Sequence, residues 1–356
     1  MATTKQYGLG EFDFPRGWFM IADSEEIKDK PVAMRYFGRD LVLYRGDSGN
    51  VHLLDAYCPH MGAHLAINTT SYVVRDGIHI EGESIRCPYH AWRFGADGKC
   101  DDIPYYDKIP AAACVRSWPV VERYGVIFVW HDPENGEPDF DLPSIPEWEN
   151  PSWVKWKIDR LGTLACHPQE VLDNMSDVAH FGPTHGSLDV AYFENEYDGP
   201  TMLQYFGAGH RTLATQQELL ELKTWYTGPA ILMSRMWGHL PSVMMIAHTP
   251  VDDGVIKVWH ALLVKSPHDV ANHRDVALAR AYQETSRVAF AQDFEVWANK
   301  RPAFHILQLP VDGPFHKGRT WYSQFYNARA KAAGIQHRVN GIHASVIRPQ
   351  AAKSAA

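Results

Sequence analysis

Only five cysteines occur in 356 residues, too few and too scattered for a disulfide scaffold. The opening MATTKQYGLGEFDFPRG has no basic start followed by an apolar run, so the expected setting is a reducing cytoplasm with free thiols. Long hydrophobic runs are missing too. The most apolar stretch, GPAILMSRMWGHLPSVMMIAHTP, is broken by Arg235, His239 and prolines, short of the roughly 20 residues a spanning helix needs. No basic run is present: 34 Lys and Arg against 42 Asp and Glu give a net charge of -8, a poor match for a nucleic-acid backbone. Nucleic acid and a membrane span are therefore not expected.

What is present is a globular composition, 45% hydrophobic and 21% charged, rich in aromatics with 12 Trp and 16 Tyr. The length exceeds what one core usually covers, so two domains are expected. From Gly17 to His131, stretches such as LVLYRGDSGNVHLLDAY and PVVERYGVIFVW read as short antiparallel strands joined by glycine-containing turns. The proline-rich DPENGEPDFDLPSIPEWENPSW reads as a linker. The division is then residues 1–135, a linker at 136–153, and a second domain at 154–356. In that second part HPQEVLDNMSDVAHF has helical spacing and the region to about residue 265 alternates as strands do. HRDVALARAYQETSRVAFAQDFEVWANK is a long helix stopped by Pro302, which makes the fold class α+β. The terminal QAAKSAA is expected to fray.

Two groups of residues carry chemistry. Cys58 with His60, and Cys87 with His90, offer two sulfurs and two imidazoles from two small loops. A closed zinc site accepts that set, and so does a [2Fe-2S] cluster in which two His replace two Cys on one iron. The Pro, Gly and small residues around both pairs (CPHMGAH, CPYHAW) suit two opposed loops gripping a flat cluster, whereas zinc fingers favour paired Cys and paired His. His64, His79, Cys100, Cys114 and Cys166 read as ordinary side chains.

The second group lies in EVLDNMSDVAHFGPTH, where Glu170, Asp173, Asn174, Asp177 and His180 form a polar stripe at helical spacing. Gly182 and Pro183 break the helix before His185 and allow it to swing back toward His180. Two imidazoles and a carboxylate make the facial triad of non-heme Fe(II) oxygenases. Asp293 is the candidate carboxylate, because Ala289, Val296 and Trp297 at helical spacings place it on an apolar face where a metal would offset its burial, while Glu295 points to solvent. Met233, Met236, Trp237, Met244, Met245, Trp225 and Tyr226 are candidates for an apolar pocket.

CPHMGAHL with CPYHAWRF resembles the Rieske pattern, although the intervening NTTSYVVRDGIHIEGESIR looks like an inserted, extended hairpin. EVLDNMSDVAHFGPTH, AFAQDFEVW and RTWYSQFY resemble the oxygenase components of 3-ketosteroid 9α-hydroxylases, within the Rieske non-heme iron oxygenases that also include cholesterol 7-desaturases. That resemblance implies an N-terminal all-β Rieske [2Fe-2S] domain and a C-terminal antiparallel-sheet helix-grip domain. It also implies a homotrimeric monooxygenase that uses O2 and draws electrons from NAD(P)H through a separate flavin and iron–sulfur reductase. By the same resemblance His180, His185 and Asp293 bind mononuclear Fe(II), Asp177 bridges to His90 of a neighbouring subunit, and Asn174 lies near the iron. The implied substrate is a hydrophobic polycyclic small molecule, steroid or terpenoid in kind. Rival expectations are a hydroxylase or O-demethylase of a smaller aromatic compound, and a Rieske electron carrier or zinc-stabilised module without catalysis.

Overall fold

The computed structural model describes residues 2–347 except 212, 214–217, 239 and 310, so the QAAKSAA tail lies outside the described residues. Two compact units emerge, one of Phe19–His131 and one of Met1–Trp18 with Asp132–Ala356. The N-terminal residues thus join the second unit instead of the proposed 1–135 domain, and hydrogen bonding explains why. Thr4 Oγ1 donates to Asp253 Oδ1 at 2.9 Å, and the N–H groups of Glu11 and Phe12 reach the Tyr326 carbonyl at 2.8 and 3.0 Å.

The first unit is antiparallel β. Val32–Tyr36, Arg39–Arg45, Val51–Asp55 and Ser117–Trp118 form one four-stranded sheet, and Ile80–Glu81, Ser84–Arg86, Arg93–Phe94 and Cys100–Asp102 form another. Val42, Tyr44, Leu54, Leu65, Ile85 and Phe94 share a core with Cys58 and Cys87, so both ligand loops rest on one apolar base. The inserted segment is not an extended hairpin throughout. Ser71 caps a helical turn at Tyr72–Arg75, and Asn68 Oδ1 accepts from the N–H groups of Thr70 and Ser71 at 3.0 and 2.8 Å. Those side-chain bonds to the backbone compete with extended structure, leaving only Ile80–Glu81 and Ser84–Arg86 to pair.

The second unit is built on a nine-stranded antiparallel sheet. Six long strands carry it: β1 (Ser187–Asp198), β2 (Thr201–His210), β3 (Leu220–Thr227), β4 (Ile231–Trp237), β5 (Ser242–Asp252) and β6 (Val255–Lys265). Gly341–Val346 extends the β1 edge, and Trp153–Val154 and Asp159–Leu164 pair with β6. Helix α1 is Pro168–Asp173, α2 is His273–Asn299 and α3 is Phe315–Ser323. The proline-rich stretch packs into this unit: Leu142 and Ile145 are buried, and Asp132 pairs with Arg329 at 2.6 Å.

Helix α2 begins where the Asn272 side chain accepts from the N–H groups of Arg274 and Asp275, and it ends three residues before Pro302. At about 1.5 Å per residue it runs for roughly 40 Å. Ala279, Gln283, Phe290 and Trp297 are buried along it, and Phe290 and Trp297 share a cluster with Leu164, Val171, Ile246 and Val258. Each such aromatic contributes on the order of 2 kcal/mol by leaving water. Ser286 and Asp293 fall on the same three-and-four seam, polar positions that alternate there with Ala279, Gln283, Phe290 and Trp297. Val296, by contrast, is half exposed and does not share the apolar face. No helix among the described residues is long and apolar enough to cross a membrane.

Candidate metal centres

The two Cys–His loops of the first unit are structural twins. The N–H of Cys58 bonds the Ala63 carbonyl at 2.9 Å and its carbonyl accepts from Gly62; the N–H of Cys87 bonds the Trp92 carbonyl at 2.7 Å and its carbonyl accepts from Ala91. Gly62 and Ala91, each four residues beyond its cysteine, take left-handed backbone with φ of 72° and 60°. The chain therefore doubles back at the same point in each loop. His60 and His90 rings lie 4.5 Å apart edge to face, and Trp92 stacks flat on His60 at 4.6 Å.

Cys58 and Cys87 are buried and hydrogen-bonded to each other. That bond, with the Cys58 thiol donating, holds the Cys87 thiol below its ordinary range, and the N–H groups of Tyr89 and His90 also favour its thiolate. A thiolate is what a metal binds, and N–H groups directed at sulfur raise a cluster's reduction potential. Zinc would draw all four donors to within about 4 Å of one another. Among the described residues, the set of three or more His, Cys, Asp or Glu donors that meets within 4.8 Å lies elsewhere. Two thiolates on one side and two imidazoles on the other fit the wider [2Fe-2S] group.

That closer set is His180, His185 and Asp293. The expected polar stripe on one helix does not exist. Helix α1 ends at Asp173, Asn174–Ser176 and Ala179–Phe181 are separate 3-10 turns, and Asp177 between them is extended. Asp177 Oδ1 accepts from the N–H groups of Ala179 and His180 at 3.0 and 3.2 Å, which caps the second turn and ends the first. Glu170 and Asp173 turn away from the metal donors. Glu170 is engaged by Tyr7, Lys300 and the N–H of Ala303, and Asp173 by Arg319.

His180 Nδ1 donates to the Asp177 carbonyl at 2.7 Å, leaving the Nε2 lone pair for a metal. The loop of His185 is held by His210, whose Nε2 donates to the His185 carbonyl at 2.8 Å. His185 Nε2 lies 3.2 Å from Asp293 Oδ2, and Asn174 Nδ2 donates to Asp293 Oδ1 at 3.1 Å. Burial pushes the His185 pKa down, but the Asp293 hydrogen bond and charge, with the Gln292 contact, together outweigh it and the net shift is upward. A cation shared by ring and carboxylate is what the geometry favours, whether proton or metal. Gln292, which reading of the sequence passed over, stands 3.1 Å from His185 Nδ1. With Oε1 toward the ring it accepts the Nδ1 proton and frees Nε2; reversed, its nitrogen donates to the Thr184 carbonyl at 3.1 Å and the Ala289 carbonyl at 3.3 Å. Metal binding at Nε2 selects the first orientation.

The three donors open into a cavity of about 520 Å³ between the sheet and α2. Of the residues expected to form it, Met236 and Met244 line it and Met233, Met245, Trp225, Tyr226 and Trp237 do not. Strand parity is the reason: Leu232, Ser234 and Met236 on β4 share one face, and Met233 and Trp237 the other. Tyr226 has the right parity but packs farther along with Tyr197, Met202 and Trp321. No Lys or Arg is among the described residues that line the cavity.

Residues 17–119 match the Rieske [2Fe-2S] domain family and residues 129–326 match the 3-ketosteroid 9alpha-hydroxylase C-terminal domain family. A 3-ketosteroid-9-alpha-monooxygenase oxygenase component of Rhodococcus rhodochrous is 33% identical over 342 residues, covering 92% of this chain and 87% of that one. A cholesterol 7-desaturase of Caenorhabditis elegans is 28% identical, covering 88% of this chain and 77% of that one. Among solved structures, apo dicamba monooxygenase is similar with a TM-score of 0.66 at 18% identity, covering 91% of this chain and 98% of that one, a likeness of fold.

Proposed function

This chain belongs to the Rieske non-heme iron oxygenases of the 3-ketosteroid 9α-hydroxylase type, and we propose that it hydroxylates a neutral polycyclic substrate of steroid or terpenoid kind. The observation that carries the substrate class is the cavity: about 520 Å³, with a mostly apolar wall of aliphatic, Met and aromatic side chains beside scattered hydroxyl and amide groups, and with no Lys or Arg among the described lining residues to receive a carboxylate. The names of the similar oxygenase components support the same class.

In this reading Cys58, His60, Cys87 and His90 hold the cluster, and His180, His185 and Asp293 hold mononuclear Fe(II). When bound, the iron supplies the dioxygen chemistry and the cluster supplies single electrons drawn from NAD(P)H through a separate reductase. The chain's own part is placement. The Asp177 carbonyl and Gln292 fix the two imidazole tautomers, and Asn174 keeps one Asp293 oxygen occupied so that the other faces the metal. The apolar walls orient the substrate by shape and exclude water from the reacting face. His90 and Asp177 are the residues through which two subunits of a homotrimer would connect their centres, a route drawn from the family resemblance.

The test is single turnover. Anaerobically reduced protein, with quantified iron and sulfide, is mixed with O2 and a panel of 3-ketosteroids, sterols and methoxy-aromatics. A steroid that gains one oxygen supports the proposal. Reaction with methoxy-aromatics alone would transfer the reading to O-demethylation, and an unsaturated product in place of an alcohol would favour desaturation, the activity named for the nematode relative.

A further inference from the structure

Thr285 and Ser286 are neighbours inside α2 yet spend their hydroxyls differently. Thr285 Oγ1 donates back to the Ala281 carbonyl at 3.2 Å, the ordinary habit of a hydroxyl in a helix. Ser286 lines the cavity and lies 2.9 Å from Nε2 of His260 on β6, a fully buried ring. On its other side, His260 Nδ1 is 2.8 Å from Asp159 Oδ2, which also accepts from Gln283 Nε2 at 2.8 Å. A Ser–His–Asp relay therefore ends in the wall of the substrate cavity.

The relay is not built for nucleophilic attack. Ser286 sits mid-helix, where the surrounding N–H groups are consumed by the helix ladder, so no pair of donors waits for a developing oxyanion. Its effect is to assign a proton. Burial favours neutral Asp159, yet the hydrogen bonds from His260 and Gln283 outweigh it and hold the carboxyl below its ordinary range. The carboxylate only accepts, so Nδ1 carries a ring proton, and in the neutral ring Nε2 is left as an acceptor for the Ser286 O–H. The nearby Met244 Sδ, at 3.6 Å, is the weaker alternative acceptor. Ser286 then shows the cavity lone pairs and no proton.

We propose that Ser286, oriented by His260 and Asp159, is a specificity-determining acceptor that anchors a substrate hydroxyl and disfavours a ketone at the same place. Ser286 and Asp293 are seven residues apart on one face of α2, so the anchor lies about 10 Å along the helix from the metal donors. That spacing lets a rigid polycycle touch both. The inference rests on the polycyclic substrate reading and names which oxygen function the distal ring carries.

Binding is measured calorimetrically on the full chain loaded with iron and cluster, without reductant. The probes are two pairs of saturated steroids, one differing only in hydroxyl or ketone on the first ring and the other only on the last. In at least one pair the hydroxyl partner is expected to bind about tenfold more tightly. Ser286→Ala should remove that preference by weakening the hydroxyl partner alone. His260→Phe frees the serine proton and should turn the preference toward the ketone, a reversal that simple loss of packing would not produce. Equal affinities within both pairs, or a preference that survives Ser286→Ala, overturns the anchor while leaving the substrate class intact. Failure of every steroid to bind the wild-type chain overturns both the anchor and the polycyclic reading.

Discussion

The two proposed metal centres are built by opposite strategies. Each cluster loop closes on itself within six residues, through a pair of backbone bonds and one left-handed residue at a fixed place. The mononuclear site draws its donors from two short turns and a helix, and its Asn174–Asp293 contact spans 119 residues. A local loop needs only its own sequence to be shaped, whereas the second site exists only once the sheet and α2 have packed. Function at the cluster should therefore tolerate damage elsewhere, and the mononuclear site should report on the whole second unit.

The largest expected effects come from removing a donor. His185→Ala should abolish substrate oxidation and mononuclear iron while leaving the visible spectrum of the cluster in place; Cys87→Ala should remove the colour. Loss of colour in the His185 variant would break the separation of the two centres. Next is Gln292→Ala, which leaves the His185 proton without an acceptor. About 10- to 100-fold weaker iron binding is expected, with cluster content unchanged, as measured by competition with a chelator.

Acid should act on both units, since burial also lowers His64 and His79 in the first, but most strongly on the second. Burial brings His167 and His248, both in the second unit, down to about 3 from the ordinary value near 6.5. Both are neutral when folded, so as pH falls below about 6.5 the unfolded chain takes up protons that the folded chain refuses. Stability is full above that value and is lost progressively toward pH 3, by up to about 1.4 kcal/mol per pH unit for each ring. Thermal unfolding of the second unit followed between pH 7 and 5 should show this slope, and His248→Gln should flatten it.

The smallest effect sharpens the likeness of the twin loops. Gly62→Ala would give the first loop the alanine that the second already tolerates at position 91. An added Cβ at Gly62 meets nothing within 4 Å, so the cost is backbone strain alone, about 1 to 2 kcal/mol, with the cluster retained. A lost cluster would show that the loops are not equivalent.

The same contrast governs what could be read from the sequence. Both Cys–His pairs, the strands between Gly17 and His131 and the end of α2 follow from local signals: small residues beside ligands, alternation and Pro302. Local pattern and structure part where distant packing decides. Met233, Met245, Trp225 and Trp237 lie on the strand face turned from α2, a choice that tertiary packing makes, and Tyr226 has the right parity but sits beyond the cavity. The helical spacing from Glu170 to His180 does not make one helix, because Asp177 accepts from the N–H groups of the turn after it. Ser286 carried a usable signal, since it shares with Asp293 the α2 seam of Ala279, Phe290 and Trp297. Its partners His260 and Asp159 lie on two strands that no local pattern connects.

Metal and sulfide analysis of the chain purified without oxygen tests most directly whether one chain holds two unlike centres. The account predicts about three irons and about two acid-labile sulfides per chain, falling to about two irons with sulfide and colour unchanged in Asp293→Ala. Zinc in place of sulfide-bearing iron, or an iron count that Asp293→Ala leaves unaltered, would contradict it.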